Sequence, residues 1–263
     1  MNKANNSRKT NLFMILGGIF LTNAILAEII GVKIFSAEKT LGFSPVNLNI
    51  FGEYLLDFNL TAGEVIWPVV FITTDIINEY FGKKGVKKIS FLTAGLIAYS
   101  FLVIGLVTML TPADFWLEVN ATDPEGNAFN ISYAFNTIFR QGLGIIVGSL
   151  TAFLLGQLID VFVFQKLRAI TGAKMIWLRA TGSTLVSQFI DSFVVLGIAF
   201  YVFGNWDLSQ VAAVGIINYI YKFTVAVILT PLLYLAHGLI DNYLGEELSQ
   251  EMMKEASSDR SFL

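Results

Sequence analysis

The sequence contains no cysteine and only one histidine, His237. Disulfides, thiolate metal sites and cysteine nucleophiles are therefore excluded, and a single imidazole cannot build a zinc site. Charge is also scarce, since Asp, Glu, Lys and Arg make up 14% of the 263 residues. The net charge of -3 is too small to indicate a nucleic-acid partner. We predict no metal site, no cofactor and no catalytic residue.

Apolar residues are what the sequence has in excess. It is 55% hydrophobic, includes 23 Phe, and has a mean hydropathy of +0.66, which indicates an integral membrane protein. About 20 apolar residues cross the hydrocarbon core of a bilayer. The apolar runs therefore predict one all-α domain over residues 1–263 with six transmembrane helices. We expect these helices at residues 12–35, 62–82, 89–110, 134–164, 175–203 and 208–239.

The segments between these runs differ in composition. Residues 36–63 contain alternating, strand-like pieces with a turn near Gly52, and they predict a short hairpin or an interfacial segment. Residues 111–134 contain several acids with Pro and Gly, and they predict a loop. We expect residues 1–11 and 241–263 to be cytoplasmic tails, the second one soluble and disordered.

The charges of the connecting segments predict the orientation. The N-terminus, residues 83–88 and residues 165–179 are basic, whereas residues 36–64, 111–134 and 204–207 are acidic. The two kinds alternate along six spans, and cytoplasmic loops are enriched in Lys and Arg. Both termini are therefore expected in the cytoplasm.

The polar residues inside the spans predict a polar cavity between helices. Asp75 and Glu79 are four residues apart and share a helix face. A carboxylate in an apolar span is costly unless it faces a cavity or a partner. The pattern Gln-x-x-Asp occurs twice, as Gln157 with Asp160 and as Gln188 with Asp191. Asn23, Asp191 and Lys222 are expected near the membrane centre.

Amides and carboxylates together suit a flat heterocycle that is rich in hydrogen-bond donors, such as a guanine-like edge. Trp67, Phe71, Phe189, Phe193 and Tyr219 could supply surfaces on which such a base stacks. Lys222 is expected to neutralise one acid, either Asp191 or Asp75. Simpler interpretations stay open: the aromatic residues could face lipid, and Glu79 and Asp160 could form ion pairs with nearby Lys and Arg residues.

Four segments resemble the queuosine precursor transporters, also called the vitamin uptake transporter family. They are Thr74-Asp-Ile-Ile-Asn-Glu-Tyr-Phe-Gly82, residues 155–168, residues 177–191 and Asn218-Tyr-Ile-Tyr-Lys222. The resemblance implies uptake of 7-deazaguanine bases across the cytoplasmic membrane by a six-helix protein. The residues on family-motif positions are Asp75, Gln157, Asp160, Ser183, Thr184, Asp191 and Lys222.

Residue chemistry and resemblance together define the candidate substrate-binding set. The set consists of Asn23, Asp75, Glu79, Gln157, Asp160, Ser183, Thr184, Gln188, Asp191 and Lys222. The expected partners are a nucleobase and the lipid bilayer but no nucleic acid, and a homodimer stays open.

Two other functions stay open besides a self-sufficient carrier. A substrate-binding subunit of an ATPase-energised importer needs a small-residue docking surface on an early helix. The first predicted helix lacks one, and Ala94 and Ala98 in the third have the Ala-x-x-x-Ala spacing but not the expected position. An intramembrane enzyme could use Asp75 with Glu79 as an acid–base pair, but a nucleophile–base pair is missing from the sequence.

The orientation is tested with single cysteines, because the chain has none of its own. Asp123→Cys should react in intact cells with a reagent that cannot cross membranes, whereas Lys87→Cys should react only after the cells are opened. Labelling of Asp123→Cys only by permeant reagents would contradict the predicted orientation.

Overall fold

The computed structural model describes residues 3–50, 54–140, 142–172 and 175–258. It consists mainly of helices, with four short strands near the end of the first long helix. The α-helices are α1 Lys3–Ile30, α2 Ala37–Thr40, α3 Trp67–Val107, α4 Asp114–Val119, α5 Ile131–Phe139, α6 Leu143–Thr171, α7 Ile176–Leu196, α8 Leu208–Leu244 and α9 Glu246–Ser258. The strands are β1 Ile34–Ser36, β2 Leu48–Ile50, β3 Tyr54–Leu56 and β4 Asn59–Thr61. A 3₁₀ turn, Ala62–Val65, precedes α3, and a π-helix, Gly197–Val202, extends α7.

Five helical segments of the described chain are long and apolar enough to cross a membrane. They are α1, α3, α5 with α6, α7 with its π-helix, and α8. Many of their large apolar side chains point outward, for example Phe91, Leu102 and Leu239, each more than half exposed. Outward apolar side chains are what a helix bundle surrounded by lipid requires. The predicted all-α membrane class is thereby confirmed.

Helix α3 is not one straight rod, because the chain folds back at Gly82. Gly82 has φ 64° and ψ -169°, which lies outside the helical region. The hydroxyl oxygens of Thr74 and Ser90 lie 3.3 and 3.4 Å from the same Gln157 side-chain oxygen. In a straight helix, 16 residues would separate Thr74 and Ser90 by about 24 Å. Residues 67–81 and 83–107 therefore form a helical hairpin. Two helices were predicted here, but the connecting residues 83–88 are helical and the first helix begins at Trp67 rather than at residue 62.

The short strands form two antiparallel pairs. Strand β2 pairs with β3, so that Asn49 lies opposite Leu55, and this confirms the predicted hairpin. The turn predicted near Gly52 lies outside the described residues. Strand β1 pairs with β4, so that Phe35 lies opposite Leu60. This second pair connects the end of α1 to the start of α3. The first predicted helix, 12–35, was therefore too long, because α1 ends at Ile30.

Two segments predicted without regular structure are helical. The acidic loop, 111–134, contains α4 and the beginning of α5. The C-terminal tail was predicted to be disordered, but α9 packs against α3 and α8, with Leu248, Met252 and Ala256 buried. These three residues are four apart and form one apolar stripe. The high share of charged residues in α9 concealed this stripe, because the remaining faces are polar.

Buried ion pairs connect three helices at the end of the bundle near Gly82. The Arg179 guanidinium lies 2.9 Å from a Glu79 carboxylate oxygen, and the Arg168 guanidinium lies 3.4 Å from the same oxygen. Arg168 also donates to the Met253 carbonyl oxygen of α9 at 2.6 Å. Both arginines belong to the basic segment 165–179, but they are buried structural residues rather than exposed loop charges.

The hairpin at Gly82 should not tolerate a side chain. Its backbone angles are essentially restricted to glycine, and a Cβ there would lie 3.0 Å from the Ala256 carbonyl oxygen. Gly82→Ala should therefore destabilise the protein by about 1–3 kcal/mol and lower its unfolding temperature in detergent.

Gly95→Ala is the matched control, because it lies in the same helix and a Cβ there meets nothing within 4 Å. Its unfolding temperature should equal that of the parent or exceed it, because Ala favours a helix more than Gly. Equal stability of the two variants would contradict the role assigned to Gly82.

Candidate functional site

The two Gln-x-x-Asp patterns meet in one cleft between α3, α6 and α7, called here the polar cleft. Helix α6 contributes Gln157 and Asp160, and α7 contributes Gln188 and Asp191. The polar cavity predicted between helices is therefore present. The other residues that line the polar cleft are Trp67, Phe71, Thr74, Phe153, Gly156, Thr184 and Ser187.

The polar cleft contains hydrogen-bond acceptors that lack partners among the described residues. Asp160 Oδ1 accepts a bond from the Ser187 hydroxyl at 3.3 Å, but Asp160 Oδ2 is buried without a partner in the described part of the chain. Gln188 Oε1 is in the same situation. A buried polar atom without a partner costs about 1–3 kcal/mol, so native structures rarely keep one without a purpose. These two oxygens are suited to accept N–H groups from a ligand.

Gln157 is held in place by two hydroxyl groups. Its side-chain oxygen contacts Thr74 and Ser90, one from each arm of the hairpin in α3. The other end of the amide can then contact a ligand, because a glutamine side chain has both donor and acceptor groups. The sequence did not single out Thr74 or Ser90, although Thr74 is adjacent to Asp75.

Aromatic rings also line the polar cleft. Trp67 and Phe71 are stacked, with ring centroids 5.9 Å apart and an interplanar angle of 16°, and the Phe153 ring lies 6.0 Å from Trp67. Phe153 was missed, although it lies one helical turn before Gln157 and so shares its face. Phe189, Phe193 and Tyr219 form a separate cluster, in which the Phe189 ring lies 4.9 Å from Phe193 and 5.3 Å from Tyr219.

Lys222 is the cation of a three-residue cluster beside the polar cleft. Its ammonium lies 2.6 Å from Asp191 Oδ2 and 3.4 Å from Glu64 Oε1. The predicted pair with Asp191 is confirmed, whereas the alternative pair with Asp75 is wrong. The pairing of Glu64 with Lys222 was not predicted, because Glu64 precedes α3 and belongs to a segment that the sequence indicates as an acidic outer loop. The ion pairs connect α7, α8 and the 3₁₀ turn.

A wider cavity of about 300 Å³, called here the vestibule, adjoins the polar cleft. Trp67, Phe153 and Asp191 line both spaces. The charged residues of the vestibule are Glu28, Glu64, Asp191 and Lys222. Glu28 accepts a hydrogen bond from the Ser149 hydroxyl at 2.6 Å. The vestibule has the size of a small-molecule site and leads to the polar cleft.

Asp75 lies in a second, less polar cleft between α3, α7 and α8. It is 6% exposed, and its Oδ1 atom lacks a partner among the described residues. Its neighbours in this cleft are mostly apolar and include Pro68, Ala180 and Leu233. Phe71 and Thr184 line this cleft as well as the polar cleft, so the two spaces are adjacent.

Three candidate residues are engaged within the protein. Asn23 donates its side-chain amide to the Ile19 carbonyl of its own helix at 2.8 Å. The Ser183 hydroxyl donates to the Ala180 carbonyl oxygen at 3.1 Å. Glu79 forms the buried ion pairs with Arg168 and Arg179. The structure therefore brings six of the ten candidates to the polar cleft and vestibule: Gln157, Asp160, Thr184, Gln188, Asp191 and Lys222.

Comparison with known proteins identifies the family. A family model described as "Putative vitamin uptake transporter" matches residues 61–236, which include the polar cleft and Lys222. The chain belongs to the vitamin uptake transporter family. Its match to this family and its long apolar helices make the transporter a multi-pass protein of the cell membrane.

Three curated relatives agree with this assignment. The transporter is 32% identical over 208 residues to a probable queuosine precursor transporter of Bacillus subtilis, covering 77% of this chain and 83% of the relative. It is 27% identical to a protein of the same name from Haemophilus influenzae, covering 73% and 72%. It is 24% identical to the queuosine precursor transporter of Escherichia coli, covering 75% and 80%. No solved structure matches the transporter.

The role of Lys222 is tested by removing its charge. Lys222→Met leaves Asp191 and Glu64 without their cation, and breaking such a buried pair costs about 3–5 kcal/mol. The variant should give less folded protein and a lower unfolding temperature in detergent.

Adding Asp191→Asn to Lys222→Met should recover part of the loss, because it removes one of the unpaired charges. Adding Asp75→Asn should recover nothing, because Asp75 lies outside this cluster. Equal recovery by both additions would contradict the assigned ion pairs.

Proposed function

We propose that the transporter imports 7-deazaguanine bases, the precursors of queuosine, across the cytoplasmic membrane. The names of the three relatives support the substrate class. The observation that carries the proposal is a pair of buried acceptors without partners among the described residues, Asp160 Oδ2 and Gln188 Oε1, in a cleft that stacked aromatic rings also line.

The chemistry of the polar cleft complements that of the base. A guanine-type edge has a ring N–H and an exocyclic amine side by side, and one carboxylate accepts both. We assign Asp160 to these donors, because its free oxygen would otherwise stay unsatisfied. Gln157 and Gln188 contact the remaining polar atoms of the base, and Trp67, Phe71 and Phe153 cover its faces.

The route of the base follows from the vestibule. Glu28 and Glu64 lie near the ends of membrane segments that the loop charges place outside, whereas Lys222 lies deeper, within α8. A base enters the vestibule from the outside, passes Trp67 and Phe153, and reaches Asp160. At the opposite end, the Glu79 ion pairs and α9 close the bundle.

We further propose six membrane crossings with both termini in the cytoplasm. The hairpin at Gly82 supports this number, because it divides the 41 residues of α3 into two antiparallel helices. Lys83, Lys84, Lys87 and Lys88 lie at this hairpin and are expected on the cytoplasmic side.

Self-sufficient transport is favoured over an ATPase-energised importer. Such an importer would need the Ala94 and Ala98 pair as an exposed docking surface. Ala94 is 9% exposed and packs in the core of the bundle whereas Ala98 is exposed, so the two alanines do not form one exposed surface for a partner. An acid–base pair of Asp75 with Glu79 is also disfavoured, because Glu79 is occupied by two arginines.

Binding to the polar cleft is tested by thermal stabilisation of the purified protein, because a ligand that binds the native state raises its unfolding temperature. 7-Aminomethyl-7-deazaguanine and 7-cyano-7-deazaguanine should both be tried. The analogue of the bound base without the exocyclic amine should bind at least about tenfold more weakly, because an oxygen of Asp160 is then left unsatisfied.

Asp160→Asn should weaken binding by a similar factor, because Asn presents a donor where an acceptor is needed. Asn23→Ala is the matched control: this residue was a candidate from the sequence, but its amide bonds to its own helix, so binding should be retained. Full binding by Asp160→Asn would contradict the assignment.

A further inference from the structure

Asp75 is the buried acid that base recognition leaves without a role. It is 6% exposed, and Asp160 across the boundary of the two clefts is 5% exposed. Each has one carboxylate oxygen without a partner in the described ranges. The clefts that hold the two carboxyl groups share Phe71 and Thr184, so the two acids lie in adjacent spaces of one buried region. Two ionised carboxylates this close, away from water, are unfavourable unless a cation joins them.

The charged groups around this pair are already committed. On α3, Glu79 lies one turn from Asp75 and pairs with Arg168 and Arg179. Lys222 pairs with Asp191 and Glu64. At this end of the bundle α8 carries His237, whose Nδ1 lies 2.9 Å from the Tyr80 hydroxyl, and Asp241, whose Oδ1 accepts a bond from the same hydroxyl at 2.6 Å. The α7 and α8 residues that line the Asp75 cleft are uncharged: Ala180, Thr181, Thr184, Ala226, Leu229, Thr230 and Leu233.

We infer that Asp75 and Asp160 form a proton-binding pair that couples uptake of the base to entry of a proton. This inference rests on the proposed function. Carboxyl groups without cationic partners inside a membrane are the usual groups of proton relays in transporters. A proton is the cation that fits, because one carboxylic acid beside one carboxylate removes the repulsion without further ligands.

The coupling follows from the two uses of Asp160. Asp160 must be ionised when it accepts the N–H groups of the base, so the negative charge is then fixed beside Asp75. Asp75 responds by taking the proton, because two adjacent negative charges are avoided. Base and proton thus favour the binding of each other, and by reciprocity each increases the affinity for the other by the same factor. Both are released together when the site opens to the cytoplasm.

The test uses the full-length protein in proteoliposomes and a radiolabelled 7-deazaguanine base. With the membrane potential clamped, an acid exterior should drive accumulation of the base above its external concentration, and a protonophore should abolish it. Asp75→Asn should lower this accumulation at least about tenfold. The same variant should still exchange labelled for unlabelled base without a gradient, because exchange needs no net proton movement. Asp75→Glu, which keeps the acid, should retain part of the accumulation.

Other outcomes would overturn the inference. Three results would each exclude proton coupling through Asp75. The first is accumulation driven only by a sodium gradient, and the second is accumulation by Asp75→Asn at the parental level. The third is exchange without accumulation under any gradient. Loss of exchange in both Asp75→Asn and Asp75→Glu, with normal amounts of folded protein, would make Asp75 a base-binding residue and would also exclude the inference. Absence of exchange in the parent protein would exclude the proposed function, and the inference with it.

Discussion

The structure depends on one constraint: a charge inside an apolar layer must have a partner. Lys222 satisfies it near the vestibule by pairing with Asp191 and Glu64, and Glu79 satisfies it near Gly82 by pairing with Arg168 and Arg179. Removing one member of such a group leaves a buried charge uncompensated, which is far more costly than the pair is favourable. The two clusters therefore fix α3, α6, α7 and α8 relative to one another. The polar cleft lies between them.

The hairpin in α3 makes this arrangement possible. Because the chain reverses at Gly82, two separate stretches of one segment contact α6, and Thr74 and Ser90 can hold the same Gln157 amide. A binding group that is held from two sides loses little conformational freedom when a ligand arrives. The aromatic rings also support one another, since Trp67 stacks on Phe71.

Much of this could be predicted from the sequence, because its strongest signals are periodic. Apolar runs located the helices, and the spacing of three within each Gln-x-x-Asp pattern placed an amide and an acid on one face. The partner of Lys222 was predicted only in part, because Glu64 reaches it from a segment whose place depends on the pairing of β1 with β4. The packing of α9 was missed because three buried residues among many charges give a weak signal. The spacing of Asp75 and Glu79 predicted one shared helix face and did not distinguish their roles. Tertiary contacts distinguish them, because they bring two arginines to Glu79.

The vestibule has a consequence for which guanine-containing molecules can enter. Among its described lining residues, three acids, Glu28, Glu64 and Asp191, stand against the single cation Lys222. A phosphate group that approaches this surplus of acids is repelled, and the low-dielectric walls strengthen the repulsion. Nucleotides carry the same hydrogen-bonding edge as the free base, so the polar cleft alone could not reject them. Under the proposed function, the electrostatics of the entrance would favour free bases over nucleotides before either reaches Asp160.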